Sequence, residues 1–162
     1  MKSGLGCYAV QIGDLKVGAV VAVNALGDIF HVETGEKLAG LLNNEKTNFG
    51  DTETEFYKTC GRMKNLFTGN TTIGAVITNG KFDKVQMKKI AAMAQNGYAR
   101  TIRPVHTTAD GDSIYGLSVG EVEADLNVVG TLASLVMARA VNKAVLSSHS
   151  MYGFLAAEDL KK

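Results

Sequence analysis

A threonine at the end of a polar loop is the first residue in this sequence whose position suggests chemistry. Gly69-Asn70-Thr71-Thr72 closes a turn-rich segment, and an apolar run begins at residue 73, a pattern that predicts a loop leading into a buried strand. If the Asn70–Thr71 bond were cut, Thr71 would carry a free α-amine with a pKa of roughly 7.7–8.0 beside its own hydroxyl. That amine could take the hydroxyl proton and activate the oxygen as a nucleophile. The alternative is a threonine that only opens a core strand.

Two aspartates and one asparagine are further candidates. Asp110 and Asp112 are two residues apart, so an extended backbone would point both carboxylates to the same side. Two like charges held together raise the pKa of one of them, which is common in active sites. An Asp-Gly turn with solvated acids is the alternative. Asn24 ends an apolar run, where its amide can close a local turn or donate to an oxyanion.

Metal binding is not indicated by residue spacing. Counting from Asp110, the sixth position is Tyr115, where a calcium-binding loop needs glycine. The three histidines, His31, His106 and His149, are scattered without the spacing of metal ligands.

The elements that must position these residues predict one mixed α/β domain. Glycine, asparagine and aspartate mark the turns, and apolar periodicity marks the strands and helices. We expect strands at 7–12 and 16–23 joined by a Gly13-Asp14 turn, a long surface loop at 43–70 with one helical turn, a strand at 72–78 ended by Asn79-Gly80, a helix from the N-cap Asp83 to Asn96-Gly97, a strand at 113–119, a long amphipathic helix at 129–144, and a short tail from Ser147 with one last helical turn.

Composition narrows the class of protein. The chain has 162 residues, 46% hydrophobic and 20% charged, with a formal net charge of +1. These values fit one globular domain and favour neither a nucleic-acid partner nor an anionic membrane. No continuous apolar run reaches spanning length, and the first residues lack signal-peptide features. Cys7 and Cys60 have no redox or metal spacing, so we expect free thiols and a cytoplasmic protein.

Several motifs, in order along the chain, resemble the L-aminopeptidase/D-esterase family, which includes the DmpA-type aminopeptidases, the β-peptidyl aminopeptidases and the nylon-oligomer (6-aminohexanoate) endohydrolase. The first six residues resemble the family's Lys-Gly-Gly-(Ile/Leu)-Gly segment, and residues 21–27 its Val-Val-Asn-Ala-Phe-Gly segment. The junction at Asn70-Thr71-Thr72-Ile73, the run at 94–100 and the loop from His106 to Asp112 complete the resemblance.

The resemblance implies a self-cleaving amidase or aminopeptidase without metal or organic cofactor. By position, Thr71 corresponds to the nucleophile and Asn70 to the residue before the cut. Asp110 and Asp112 correspond to the acids that orient and activate it, Asn24 to an oxyanion or substrate-binding amide, and Lys2 to a site lysine. Residues 1–70 would end the α-subunit and 71–162 would form the β-subunit. The implied fold places two sheets between helices, as in N-terminal-nucleophile hydrolases.

This chain departs from the family in length, since family members are about twice as long, and Ser3 replaces the usual first glycine. It therefore resembles the C-terminal half of such an enzyme. We expect small peptides or amino-acid amides as substrates, a homo-oligomer, and an N-terminal half as a further partner. The alternative function is a catalytically inactive α/β remnant or interaction domain.

Overall fold

The structure, a computed structural model, describes residues 1–60 and 69–160. In chain order its elements are β1 (Leu5–Ile12), β2 (Leu15–Ala22), β3 (Asp28–Phe30), β4 (Lys37–Ala39), α1 (Thr52–Tyr57), β5 (Ile73–Gly80), α2 (Lys84–Thr101), β6 (Ile102–Arg103), β7 (Ser113–Val122), α3 (Leu126–Leu146) and a 3₁₀ turn (Ala157–Asp159). Within the described residues, the main sheet has the order β1-β2-β5-β7 and the smaller sheet the order β4-β3-β6.

One face of the main sheet carries the core. Strand alternation buries Val17, Ala19 and Val21 of β2 and Val76 of β5, and α2 and α3 pack against this face and against each other. Apolar residues at helical spacing on both helices supply the other side of the core. The predicted mixed α/β domain is confirmed, whereas the three short strands of the smaller sheet gave no sequence signal.

Local turn and cap signals predicted two element boundaries correctly. β1 and β2 pair antiparallel as a hairpin, with Gly13 at a φ of 57° in its turn. Asp83 caps α2 by accepting the Gln86 N–H at 2.8 Å, while the Gln86 side chain accepts the Asp83 N–H at 2.9 Å. This reciprocal pair is the capping box that the sequence predicted.

The predicted helix stop at Asn96-Gly97 is wrong, because α2 continues to Thr101. Gly97 lies where α2 crosses α3, and a β-carbon there would come within 2.6 Å of the Ser134 carbonyl oxygen. The glycine permits close helix packing.

The predicted turn at Asn79-Gly80 is also wrong, since both residues belong to β5. The Asn79 side chain accepts the Lys16 N–H at 2.7 Å and donates to the Asp14 carbonyl at 2.8 Å. Its amide therefore fastens the end of β5 to the β1–β2 hairpin. Long-range hydrogen bonds override the local turn preference of this pair.

The opposite face of the main sheet, which we call the outer face, is apolar and exposed. Strand register places side chains from all four strands on this face. Its large apolar members are Leu5, Val20, Ile73, Ile77, Tyr115, Leu117 and Val119. An uncovered patch of this kind on a sheet is typical of a surface that packs against another element.

Part of the long loop predicted at 43–70 is described. It contains α1, which confirms the expected helical turn, with Asp51 as its N-cap. Residues 61–68 of the predicted loop lie outside the described part of the chain.

Helix α3 is long and apolar enough to span a membrane by length and composition alone. In the structure, 67% of the most apolar part of this helix is buried inside the protein. It is therefore the core helix against which the sheet packs.

Candidate active site

Strand pairing brings the two candidate motifs together. β5 and β7 are parallel, beginning with Ile73 beside Ser113, and an isolated bridge pairs Asn70 with Asp110. The bridge and the start of the strand pairing share an offset of 40 residues, which places the threonine junction at 70–72 beside the Asp-Gly-Asp loop. Parallel pairing over this sequence distance is invisible to local patterns.

The Thr71 hydroxyl lies against the peptide bond that would be cut. Thr71 Oγ1 donates to the Asn70 carbonyl oxygen at 2.6 Å, and the Gly111 N–H donates to the same oxygen at 3.1 Å. Negative charge developing on that oxygen during attack by Thr71 would therefore meet the Gly111 N–H, because the attacking hydroxyl gives up its own proton.

Gly111 is a site residue that sequence reasoning missed. Its main chain approaches the threonine so closely that a β-carbon would come within 2.7 Å of Thr71 Oγ1. The sequence shows it as the glycine between two aspartates, which by itself indicates no more than an Asp-Gly turn.

Asn24 holds the junction from the other side. Its carbonyl oxygen accepts the Thr71 N–H at 2.8 Å, and its Nδ2 donates to the Gly69 carbonyl at 3.0 Å. The side chain thus reaches across to the junction loop instead of closing a local turn. Its amide binds the carbonyl one residue before Asn70.

The two carboxylates have different partners. Asp112 Oδ1 accepts the Thr72 N–H at 2.7 Å, so it fixes the backbone immediately after Thr71. Asp110 Oδ2 accepts the Thr107 hydroxyl at 2.7 Å and the Thr107 N–H at 3.2 Å. The described hydrogen bonds of Asp110 therefore stay within its own loop.

Burial raises the pKa of Asp112, whose side chain is only 3% exposed. The hydrogen bond from Thr72 opposes this shift, and the charge of Asp110 adds to it. The like charge of Asp110 therefore adds to the rise in the Asp112 pKa, but desolvation is the larger cause of that rise.

Lys2 lies at the same end of the sheet but does not meet the threonine through its described contacts. Its Nζ donates to the Ser3 carbonyl at 2.6 Å, and its backbone N–H donates to the Leu155 carbonyl at 2.7 Å. Ser3 in turn donates its hydroxyl to the Val23 carbonyl at 2.6 Å, one residue before Asn24. The role implied for Lys2 stays a prediction.

A mainly apolar pocket of about 380 Å³ is lined in part by Ala25, the residue after Asn24. This volume is within the range of small-molecule sites. Its walls are Met1, Ser3, Ala25, Leu26, Gly27, Ile29, Ala39, Gly40, Leu41, Thr52, Glu55, Phe56 and Thr59.

A buried carboxylate that sequence reasoning missed holds these walls together. Asp28 is 1% exposed and accepts the Leu41 N–H at 2.9 Å, the Thr52 N–H at 2.9 Å and the Thr52 hydroxyl at 2.6 Å. Lys37 Nζ lies 2.5 Å from the same carboxylate. One side chain therefore joins three separate chain segments around the pocket.

Sequence comparison gives one family for nearly the whole chain. The model of peptidase family S58 matches residues 1–158. An uncharacterized aminopeptidase of Mycobacterium leprae (strain TN) is 33% identical over 169 residues, covering 94% of this chain and 47% of that protein. A 6-aminohexanoate-oligomer endohydrolase of Kocuria sp. (strain KY2) is 26% identical over 161 residues, covering 88% of this chain and 44% of the relative. The chain thus spans about half the length of these curated relatives.

Structure comparison gives the same kind of fold. The crystal structure of the L-aminopeptidase D-Ala-esterase/amidase of Ochrobactrum anthropi is described as a new variant among the Ntn hydrolase fold. It matches 99% of this chain with a TM-score of 0.64 at 18% identity, and the match covers 46% of that protein. The predicted relation to the N-terminal-nucleophile hydrolase fold is confirmed.

Proposed function

Because this chain belongs to peptidase family S58, we propose that it carries the nucleophile of a self-processing amidase or aminopeptidase, and that the nucleophile is Thr71. The observation that supports this most strongly is the contact at the junction. Thr71 Oγ1 is 2.6 Å from the Asn70 carbonyl oxygen, which also accepts the Gly111 N–H. A hydroxyl beside a carbonyl whose oxygen is held by a backbone N–H has the parts needed for attack.

Self-cleavage proceeds by acyl transfer followed by hydrolysis. The Thr71 oxygen bonds to the Asn70 carbonyl carbon, the carbon–nitrogen bond breaks, and the hydroxyl proton passes to the Thr71 nitrogen. Water then hydrolyses the ester, which returns the hydroxyl and leaves a carboxylate on Asn70. The released Thr71 amine has an ordinary pKa of roughly 7.7–8.0, so it can accept a proton near neutral pH.

In the mature enzyme this amine is the general base for its own hydroxyl. The oxygen attacks an amide or ester carbonyl, an acyl-enzyme forms on Thr71, and water releases it. Asp112 orients the backbone after Thr71 through the Thr72 N–H, and Asp110 contributes a second negative charge near Asp112. The Asn24 amide and the Gly111 N–H become free to bind the substrate oxyanion once the junction loop has left. No metal or organic cofactor takes part in these steps.

The apolar pocket lined in part by Ala25 receives the apolar part of the substrate's acyl group. Its lining is mainly aliphatic and aromatic, with Glu55 as its charged wall residue. Small peptides and amino-acid amides fit its volume of about 380 Å³. An apolar acyl chain with a cationic amine would place the amine towards Glu55.

The outer face packs against further parts of the assembled enzyme. The relatives are about twice the length of this chain, and Tyr115, Leu117 and Val119 leave apolar surface exposed on an edge strand. We infer that the N-terminal half of the family fold, or a second copy, covers this face. The same exposed face favours the rival function, a non-catalytic interaction domain.

The test compares Thr71→Ala with Thr71→Ser in the natural polypeptide that contains these residues. Thr71→Ala removes the attacking hydroxyl, so it should stay uncut and inactive, whereas Thr71→Ser should still be cut. Processing is followed on a denaturing gel, and turnover by release of a chromogenic amine. Wild-type processing of Thr71→Ala would show cleavage by an outside protease. An uncut, inactive wild type would support the interaction domain.

A further inference from the structure

His106 lies against the buried carboxylate that orients the junction. Its Nδ1 is 3.7 Å from Asp112 Oδ2. His106 has a φ of 56°, a left-handed conformation that is uncommon for residues with a side chain. The ring of this residue therefore faces Asp112.

The charges around Asp112 come from several elements. Asp110, in the same loop, is a like charge, and Tyr98 of α2 presents a neutral phenol whose pKa is raised by burial. Tyr98 also contacts the His106 ring, with centroids 6.1 Å apart. From the junction, Thr72 supplies only a backbone N–H. Among the described residues, His106 is the one basic side chain that contacts Asp112.

We propose that His106 is a positioning residue that keeps Asp112 ionised while the Asn70–Thr71 bond is intact, so that Asp112 holds the Thr72 N–H during self-cleavage. This inference rests on the proposed function. Before the cut, Thr71 has no ammonium group to balance the carboxylate. When its ring is protonated, His106 places a positive charge 3.7 Å from the carboxylate, and a nearby opposite charge favours the ionised form of an acid.

The test is the pH profile of self-cleavage in His106→Asn. Asparagine tolerates the left-handed backbone but carries no charge. Freshly translated polypeptide is diluted into buffers from pH 5 to 9, and cleavage is timed by gel. Because removing an opposite charge beside an aspartate favours its protonated form, the acid limb of the profile should move to higher pH than in wild type. The rate above pH 8 should stay within about twofold of wild type.

Two further variants separate charge from structure. His106→Lys should restore the acid limb, because it returns a cation, and Lys46 shows that lysine adopts a φ of 57° in this chain. His149→Asn is the matched control, since His149 is 79% exposed and pairs with Glu158. It should leave the profile unchanged.

The outcomes distinguish the inference from the proposed function. If His106→Asn slows cleavage equally at every pH, or leaves the acid limb in place, His106 does not act through the charge of Asp112 and the inference is overturned. A wild type that stays uncut at all pH values, or Thr71→Ala that is cut normally, overturns the proposed function itself.

Discussion

Adding one methyl group at Gly111 should disable the nucleophile without unfolding the protein. A β-carbon at this position would be 2.7 Å from Thr71 Oγ1, and ordinary contact begins at 3.4 Å. The hydroxyl must therefore move by about 0.7 Å or rotate away from the Asn70 carbonyl. Misplacing a reacting group by roughly 1 Å can cost about 10²-fold in rate. We expect Gly111→Ala to slow self-cleavage by about that factor.

Gly18→Ala is the matched control. Its β-carbon would lie 3.4 Å from Ala9 Cβ, which is an ordinary contact. Gly18 lies in β2 of the main sheet. Cleavage is timed by gel after cell-free synthesis, and folding is checked by thermal melting. Wild-type cleavage in a folded Gly111→Ala variant would refute the close contact between Gly111 and the attacking hydroxyl.

Three further substitutions test other parts of the site. Asp112→Asn should lower kcat by at least roughly tenfold, yet its melting temperature at pH 7 should equal or exceed that of wild type. Because burial raises the Asp112 pKa above 3.8, the ionised carboxylate lowers the stability of the wild-type fold at pH values above the raised pKa. The higher melting temperature of the variant should therefore disappear as the pH falls below 3.8. A melting temperature below that of wild type at pH 7 would contradict this. Thr72→Val should stabilise by about 1 kcal/mol, since the Thr72 hydroxyl is buried without a hydrogen-bond partner among the described residues; destabilisation on urea unfolding would argue for an unseen partner. Ala39→Leu should narrow the pocket and slow hydrolysis of bulky acyl groups by tenfold or more while sparing small ones, as measured by kcat/KM on paired anilides; equal losses would separate the pocket from acyl recognition.

Elements with strong local signals could be predicted from the sequence. The Asp83 capping box and the hairpin at Gly13 depend on neighbouring residues, and both are present. The two Asn-Gly pairs misled because tertiary contacts decide their conformation. Gly97 serves helix packing, and Asn79 bonds to residues more than sixty positions away.

The candidate site was predictable only in part for the same reason. Thr71 and Asp112 stand at recognisable positions in the sequence, but their meeting depends on the parallel pairing of β5 and β7. Gly111 comes near Thr71 through a close backbone approach, and His106 comes near Asp112 from a left-handed backbone conformation. Residue type alone does not reveal either feature. Asp28 is buried because donors from other segments of the chain converge on its carboxylate, and no local pattern in the sequence indicates those contacts.

The central claim is that Thr71 becomes a new N-terminus, and the most direct measurement is intact mass with N-terminal sequencing of the purified wild-type polypeptide. The account predicts two pieces that separate between Asn70 and Thr71, the second starting Thr71-Thr72-Ile73. A single uncut mass from an active enzyme, or a cut at any other bond, would contradict it.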